Sequence, residues 1–161
     1  MNWEKLFTMQ KQLDTYIQQN HALVTSEIFD KKVLALLVEI GELANETRCF
    51  KFWSKKGPSE DTVILEEYVD GLHFILSLGI DLGFEPERVD IPNIQADTTE
   101  LFHQVYQSIQ VFKEKTNTET YQQLFGLFLR LGQVLGFSET AIMQAYIDKN
   151  ETNFNRQDQN Y

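Results

Sequence analysis

Glu39, Glu42 and Glu46 follow one another at i, i+3 and i+7, and further along Glu67 and Asp70 repeat the i, i+3 step. On a helix the first three fall within a sector of roughly 60°, and the second pair shares one face. Both sets border apolar stripes: Leu36, Ile40 and Leu43 beside the first, Val63, Ile64, Gly71 and Phe74 around Glu67. Burying an unpaired carboxylate in such a setting would cost on the order of several kcal/mol, so a cation is expected to face these acids. Basic side chains are scarce on the same faces. A divalent ion with oxygen ligands, magnesium, manganese or calcium, fits the donor set best. No cysteine or histidine cluster points to zinc. His73 follows an aspartate by three residues, not a glutamate, which weakens a Glu-x-x-His di-iron reading and leaves His73 as a residue behind the ligands. Taken alone, Glu42 and Glu46 read as a solvated acidic face. The position of Glu67 tips the two pairs together toward metal binding.

Two further segments carry chemistry of another kind. Between the acidic pairs, the stretch Arg48 to Lys56 interleaves Arg48, Lys51, Lys55 and Lys56 with Phe50, Phe52 and Trp53. Cations beside a metal site can hold phosphate, and an aromatic ring can stack on a base. The plainer reading is a loop anchored by its rings. The C-terminal segment holds Lys149, Asn150, Asn153, Arg156, Gln157 and Tyr161. Its composition alone suggests a frayed terminus; the alternative is a tail that orders over a bound anion.

The elements that must position these residues are helices. Three prolines and eight glycines leave long stretches without a breaker. Apolar periodicity predicts a first helix from Trp3 to about Gln19 on Leu6, Met9, Leu13 and Ile17, and a second from Thr25 or Asp30 to about Cys49. A third runs from about Glu60 to Leu82, with Ser59 as candidate N-cap and Gly83 at its end. Asp97-x-x-Glu100 and Thr116-x-x-Glu119 open a fourth and a fifth as capping-box-like starts, and Ser138 caps a sixth that runs to about Lys149. The segment from Glu85 to Ala96, with Pro86 and Pro92, is expected to be irregular. The expected fold is all-α: one single-domain bundle of about six helices over residues 1–161, with a polar tail at about 149–161.

The formal net charge of −10 argues against nucleic acid and against anionic membrane surfaces as partners. It does not exclude an anionic small molecule held through metal ions. The single cysteine, Cys49, excludes an internal disulfide framework. The opening MNWEKLFTMQ lacks the apolar core of a signal peptide, and no apolar run is long enough to span a bilayer. A soluble, cytoplasmic protein is expected. No Gly-x-Gly-x-x-Gly or Walker-type loop is present.

The two acidic pairs, together with EIGELANE, the loop CFKFWSKK, the segment EEYVDGLHF and the tail KNETNFNRQDQNY, resemble the MazG-like all-α NTP pyrophosphatases, and among them the dimeric dUTPases. The resemblance runs from about Gln10 to Tyr161. It implies hydrolysis of dUTP to dUMP and pyrophosphate by a homodimer that uses magnesium, with manganese as a substitute. It implies that Glu39, Glu42, Glu67 and Asp70 are the catalytic, metal-holding acids. Lys149, Asn153, Arg156 and Tyr161 would contact the phosphates, with Lys51 or Lys55 as helpers. Gln10, Asp14, Trp53 and Asn150 would recognise the nucleoside. The rivals are a related pyrophosphatase acting on another nucleotide such as dCTP, and a non-enzymatic acidic helical interaction module. A regulatory protein partner would leave no signal of its own in the sequence.

Overall fold

The computed structural model describes residues 1–160. These form six helices: α1 (Trp3–His21), α2 (Thr25–Thr47), α3 (Asp61–Leu82), α4 (Thr98–Glu114), α5 (Thr118–Val134) and α6 (Glu139–Asp158). The all-α bundle expected from the sequence is the one observed, and among the described residues no helix is long and apolar enough to cross a membrane.

Helix α3 is the axis of the bundle. It packs against α1, α2, α5 and α6, while α4 pairs with α5 and touches α2. Its buried positions lie on every side: Ile64, Tyr68, Val69, Leu72, His73, Ile75, Leu76, Ser77 and Leu78 among them. A helix apolar nearly all round is the one a bundle places inside. Helices α2 and α3 run antiparallel, since Lys32 meets Asp81 at one end and Ser59, just before α3, meets Glu46 at the other.

Small residues set how closely the helices approach α3. A Cβ on Gly71 would lie 3.2 Å from the Phe128 ring of α5. Gly132 accommodates Tyr68, whose ring stacks on Phe128 at 4.4 Å and whose hydroxyl donates to the Phe128 carbonyl.

Local details depart from the sequence expectations in three places. The N-cap position of α3 is Glu60, without a side-chain cap, and Ser59 instead donates to the Glu46 carboxylate, tying the loop back to α2. The capping box of α5 is Asn117 with Thr120, one residue beyond the predicted Thr116 and Glu119. The larger correction concerns α6, which continues past Lys149 to Asp158. Its last turns are helical because α1 lies alongside. Phe154 packs on the Tyr16 ring at 5.4 Å, the Tyr16 hydroxyl donates to Asp158, and His21 bonds Gln157. A polar segment that cannot bury its own face gains one from a neighbour.

A candidate nucleotide and metal site

Glu39 lies in mid-α2, and Glu67 and Asp70 lie on α3, which packs against it. Each contributes a carboxylate oxygen, and the three oxygens lie within 4.8 Å of one another. All three residues are half-buried. Glu42, one turn on from Glu39, is exposed but close enough to act on both neighbours: its charge raises the pKa of Glu39 and of Glu67.

The electrostatics show a site short of positive charge. Burial, then repulsion from Asp70 and Glu42, pushes Glu39 up to about 8. Glu67 is raised by burial and by Asp70 and Glu42. Asp70 is also raised by burial, although Lys149 pulls in the opposite direction. A carboxyl that retains its proton near neutral pH because other carboxylates surround it occupies a place suited to a cation. Oxygen-only donors at this spacing fit a hard divalent ion, so the residues present are compatible with magnesium.

One cation already touches the cluster. Lys149 Nζ on α6 lies 2.9 Å from Asp70 Oδ2 and 2.9 Å from Glu66 Oε1, with only a tenth of its side chain exposed. Burial works against its charge, but the hydrogen bonds to Glu66 and Asp70 outweigh burial and raise its pKa, while Glu66 is correspondingly lowered.

A cleft of about 320 Å³ opens beside the acids, between α1, α2, α3 and α6. Seven residues singled out in the sequence line it: Gln10 and Asp14 from α1, Glu39 from α2, Asp70 from α3, and Lys149, Asn153 and Arg156 from α6. Each set follows a helical face, so the cleft is where four such faces meet. Asn150 does not line the cleft and is buried beside Tyr146.

The α2–α3 loop is placed differently. Neither Lys51, Lys55 nor Trp53 lines the cleft. Trp53 is 65% exposed and packs on Phe50 and Phe52, while Lys51 lies over the Phe50 ring. Arg48 is spent on the loop itself, donating to Ser54 and to the Lys56 carbonyl. Tyr161 lies outside the described residues.

The cleft also contains residues that sequence reasoning did not assign to it: Lys32, His73 and Ser77. Their signal was available. Ser77 and His73 continue the face of Asp70 at i+7 and i+3, and Lys32 precedes Glu39 by seven residues. Lys32 forms a buried ion pair with Asp81 at 2.6 Å. A larger groove of about 550 Å³ runs between α4, α5 and the segment around Asp90 and Pro92, but none of the predicted site residues lies in it.

Comparison with known proteins completes the description. A family model described as dUTPase matches residues 2–161. No curated protein sequence matches the chain.

Proposed function

The chain belongs to the dimeric all-α dUTPase family, and from that premise we propose that Glu39, Glu42, Glu67 and Asp70 hold magnesium against the triphosphate of dUTP. The family's activity is dUTP diphosphatase, a nucleoside triphosphate pyrophosphohydrolase reaction. The observation that carries the site assignment is the convergence of Glu39, Glu67 and Asp70 within 4.8 Å at the mouth of a cleft lined by Lys149, Asn153 and Arg156. The acids stand beside Lys149 and Arg156, and a metal–triphosphate offers the acids a cation and the basic groups an anion.

Magnesium, when bound, neutralises the triphosphate and acidifies an attacking water. Glu39 orients that water and takes its proton. The water oxygen attacks the α-phosphorus, the bond to the bridging oxygen of the β-phosphate breaks, and dUMP and pyrophosphate leave. Lys149, Asn153 and Arg156 hold the phosphates and share the charge that develops on the leaving group; Tyr161, Lys51 and Lys55 assist. Gln10, Asp14, Trp53 and Asn150 surround the nucleoside. Together these assignments make residues 149–161 a phosphate-binding segment whose larger part is the end of α6. Manganese can replace magnesium, since both accept an all-oxygen site. The working unit is a homodimer, a reading the family supports and the exposed apolar residues Leu34, Val38 and Trp53 favour.

Pyrophosphate release from dUTP, dCTP, dTTP and dATP, measured with and without magnesium, tests this reading. Magnesium-dependent release from dUTP, lost in Glu39→Gln and Asp70→Asn proteins that retain their helical spectrum, is the expected result. Metal-independent release, or unimpaired turnover in both variants, would sink the assignment.

A further inference from the structure

Two rows of acidic side chains on α3 cross at Asp70. Glu67 and Asp70, three residues apart, converge with Glu39, whereas Glu66 and Asp70, four apart, both meet Lys149 of α6. The ammonium bridges this second row, 2.9 Å from Glu66 Oε1 and 2.9 Å from Asp70 Oδ2. Its two acceptors lie on different sides. Asp70 lines the cleft of about 320 Å³. Glu66 does not; it lines a separate groove of about 440 Å³ between α3 and α6, with Leu65, Val69 and Ala145. Lys149 borders both cavities. Glu66 is not one of the three acids whose oxygens converge. Its side chain is 59% exposed, against 18% for Asp70 and 10% for Lys149.

The two acceptors are therefore unequal. Asp70 must give up the ammonium in order to hold a metal ion, whereas Glu66, outside the cleft, need not. An ammonium carries three hydrogens and has no lone pair of its own. With most of its side chain out of water, a Lys149 stripped of every partner would be a buried, uncompensated charge. If Asp70 were its only partner, metal binding would create that state. A second carboxylate avoids it, because one charge-assisted hydrogen bond can stay while the other moves. Since Glu66 is largely exposed, its pairing adds little to the stability of the fold. Its effect falls instead on where the ammonium stands.

We propose that Glu66 is a positioning residue, the fixed end of a pivot that lets Lys149 yield Asp70 to magnesium without leaving the site. This rests on the cleft being the magnesium–dUTP site. The bond between the ammonium and Glu66 persists through the exchange. The hydrogen that pointed at Asp70 turns into the cleft, where a phosphate oxygen accepts it. Glu66 touches neither metal nor substrate and acts through Lys149. It also sets how strongly the ammonium competes with the ion, because two carboxylates share it. Removing the charge of Glu66 leaves the ammonium to Asp70 alone, which makes Asp70 harder to claim. That effect requires Lys149. A direct attraction between the Glu66 charge and the ion would not, so the two can be separated.

The test measures magnesium affinity by titration calorimetry, without nucleotide, in the full-length wild type, Glu66→Gln, Lys149→Ala and the double variant. Glu66→Gln should bind magnesium several-fold more weakly than the wild type, and the double variant should bind it as tightly as Lys149→Ala alone. Wild-type affinity in Glu66→Gln, or a loss that persists when Lys149 is absent, overturns the proposal. A second measurement uses wild-type protein labelled with ¹⁵N at lysine, with the Lys149 ammonium resonance identified by its loss in Lys149→Arg. Saturating magnesium should shift this resonance while its hydrogens stay slower to exchange than those of the exposed lysines. Exchange as fast as theirs would show that the lysine is released outright, and overturns the pivot even if the Glu66 variant does not fold. Magnesium-dependent release of pyrophosphate from dUTP by the unlabelled wild type is measured alongside. Its absence would count against the proposed function itself, whereas its presence with a failed pivot removes only the role of Glu66.

Discussion

Lys149 and Asp70 are paired at 2.9 Å across the α3–α6 contact, so a residue assigned to phosphate sits on a residue assigned to metal. The pair is mostly buried, with Glu66 as the second partner of the ammonium. Lys149 thus supplies one positive charge to an acidic cluster that needs more than one. The two assignments are compatible if the ammonium is exchanged: a divalent ion takes over the carboxylates, and the lysine turns to the anion that arrives with it.

That exchange predicts opposite effects of Lys149→Ala on metal and on substrate. Removing the ammonium frees Asp70, so magnesium should bind several-fold more tightly in the absence of nucleotide, as read by titration calorimetry. Turnover of dUTP should fall by about tenfold or more, since a charge-assisted hydrogen bond to the phosphates is lost. Weaker magnesium binding in the variant would show that Lys149 does not compete with the ion.

The raised pKa of Glu39 makes metal binding a proton-releasing event. With its pKa near 8 in the folded protein against an ordinary 4.5, Glu39 is mainly protonated at pH 7, and a metal ligand must be deprotonated. Magnesium binding at pH 7 should expel about one proton, measurable as the dependence of the binding enthalpy on buffer ionisation. The sign for stability follows: the native state binds more protons than the unfolded chain between these two values. His73, held neutral by burial with its pKa lowered to about 3, acts in the opposite sense below its ordinary 6.5, so without metal thermal stability falls as pH rises from about 7 to 8. With saturating magnesium this loss should disappear. A metal-free melting temperature that climbs over the same range would refute the assignment of the proton to Glu39.

Gly132→Ala probes the support behind the site. A Cβ at position 132 would stand 2.6 Å from Tyr68 Cζ and closer still to its hydroxyl. Tyr68 is fully buried and stacked on Phe128, so it has little room to yield. We expect a loss of about 1–3 kcal/mol in urea unfolding. Turnover should fall as well, because Tyr68 directly follows Glu67. A neutral effect on stability would mean that α5 can retreat without cost.

Phe154→Ala tests whether the end of α6 is held by α1. The ring packs on Tyr16 beside the Tyr16–Asp158 hydrogen bond. Without it, amide hydrogens of residues 153–158 should exchange faster and KM for dUTP should rise several-fold, since Asn153 and Arg156 lie on the loosened turns. Unchanged exchange would show that the segment is helical on its own account.

The bundle was legible in the sequence wherever a helix buries its own apolar stripe, as α3 does around Leu72, Ile75 and Leu76. The acidic faces were legible too, because i, i+3 spacing is a local property: Glu39 and Asp70 could be placed on their helices before any packing was known. Three things were not. The final turns of α6 depend on Tyr16, far away in sequence, and their own composition points to disorder. The contact of Lys149 with Asp70 depends on how α6 settles against α3. The buried network around Gln10 joins three helices, and no pattern within one of them shows that His73 Nδ1 and the Tyr146 hydroxyl meet on one amide oxygen.

The lock between Tyr68 and α5 has a mechanical consequence. Its stacked ring, its hydroxyl on the Phe128 carbonyl and the absence of a side chain at Gly132 key α3 to its neighbour in one register. Sliding α3 by a turn would break all three at once. Glu67 and Asp70 therefore ride on a stator. Whatever travel the enzyme needs to admit a substrate and discharge two products falls to the rotor side of the cleft, the partnered ends of α1 and α6.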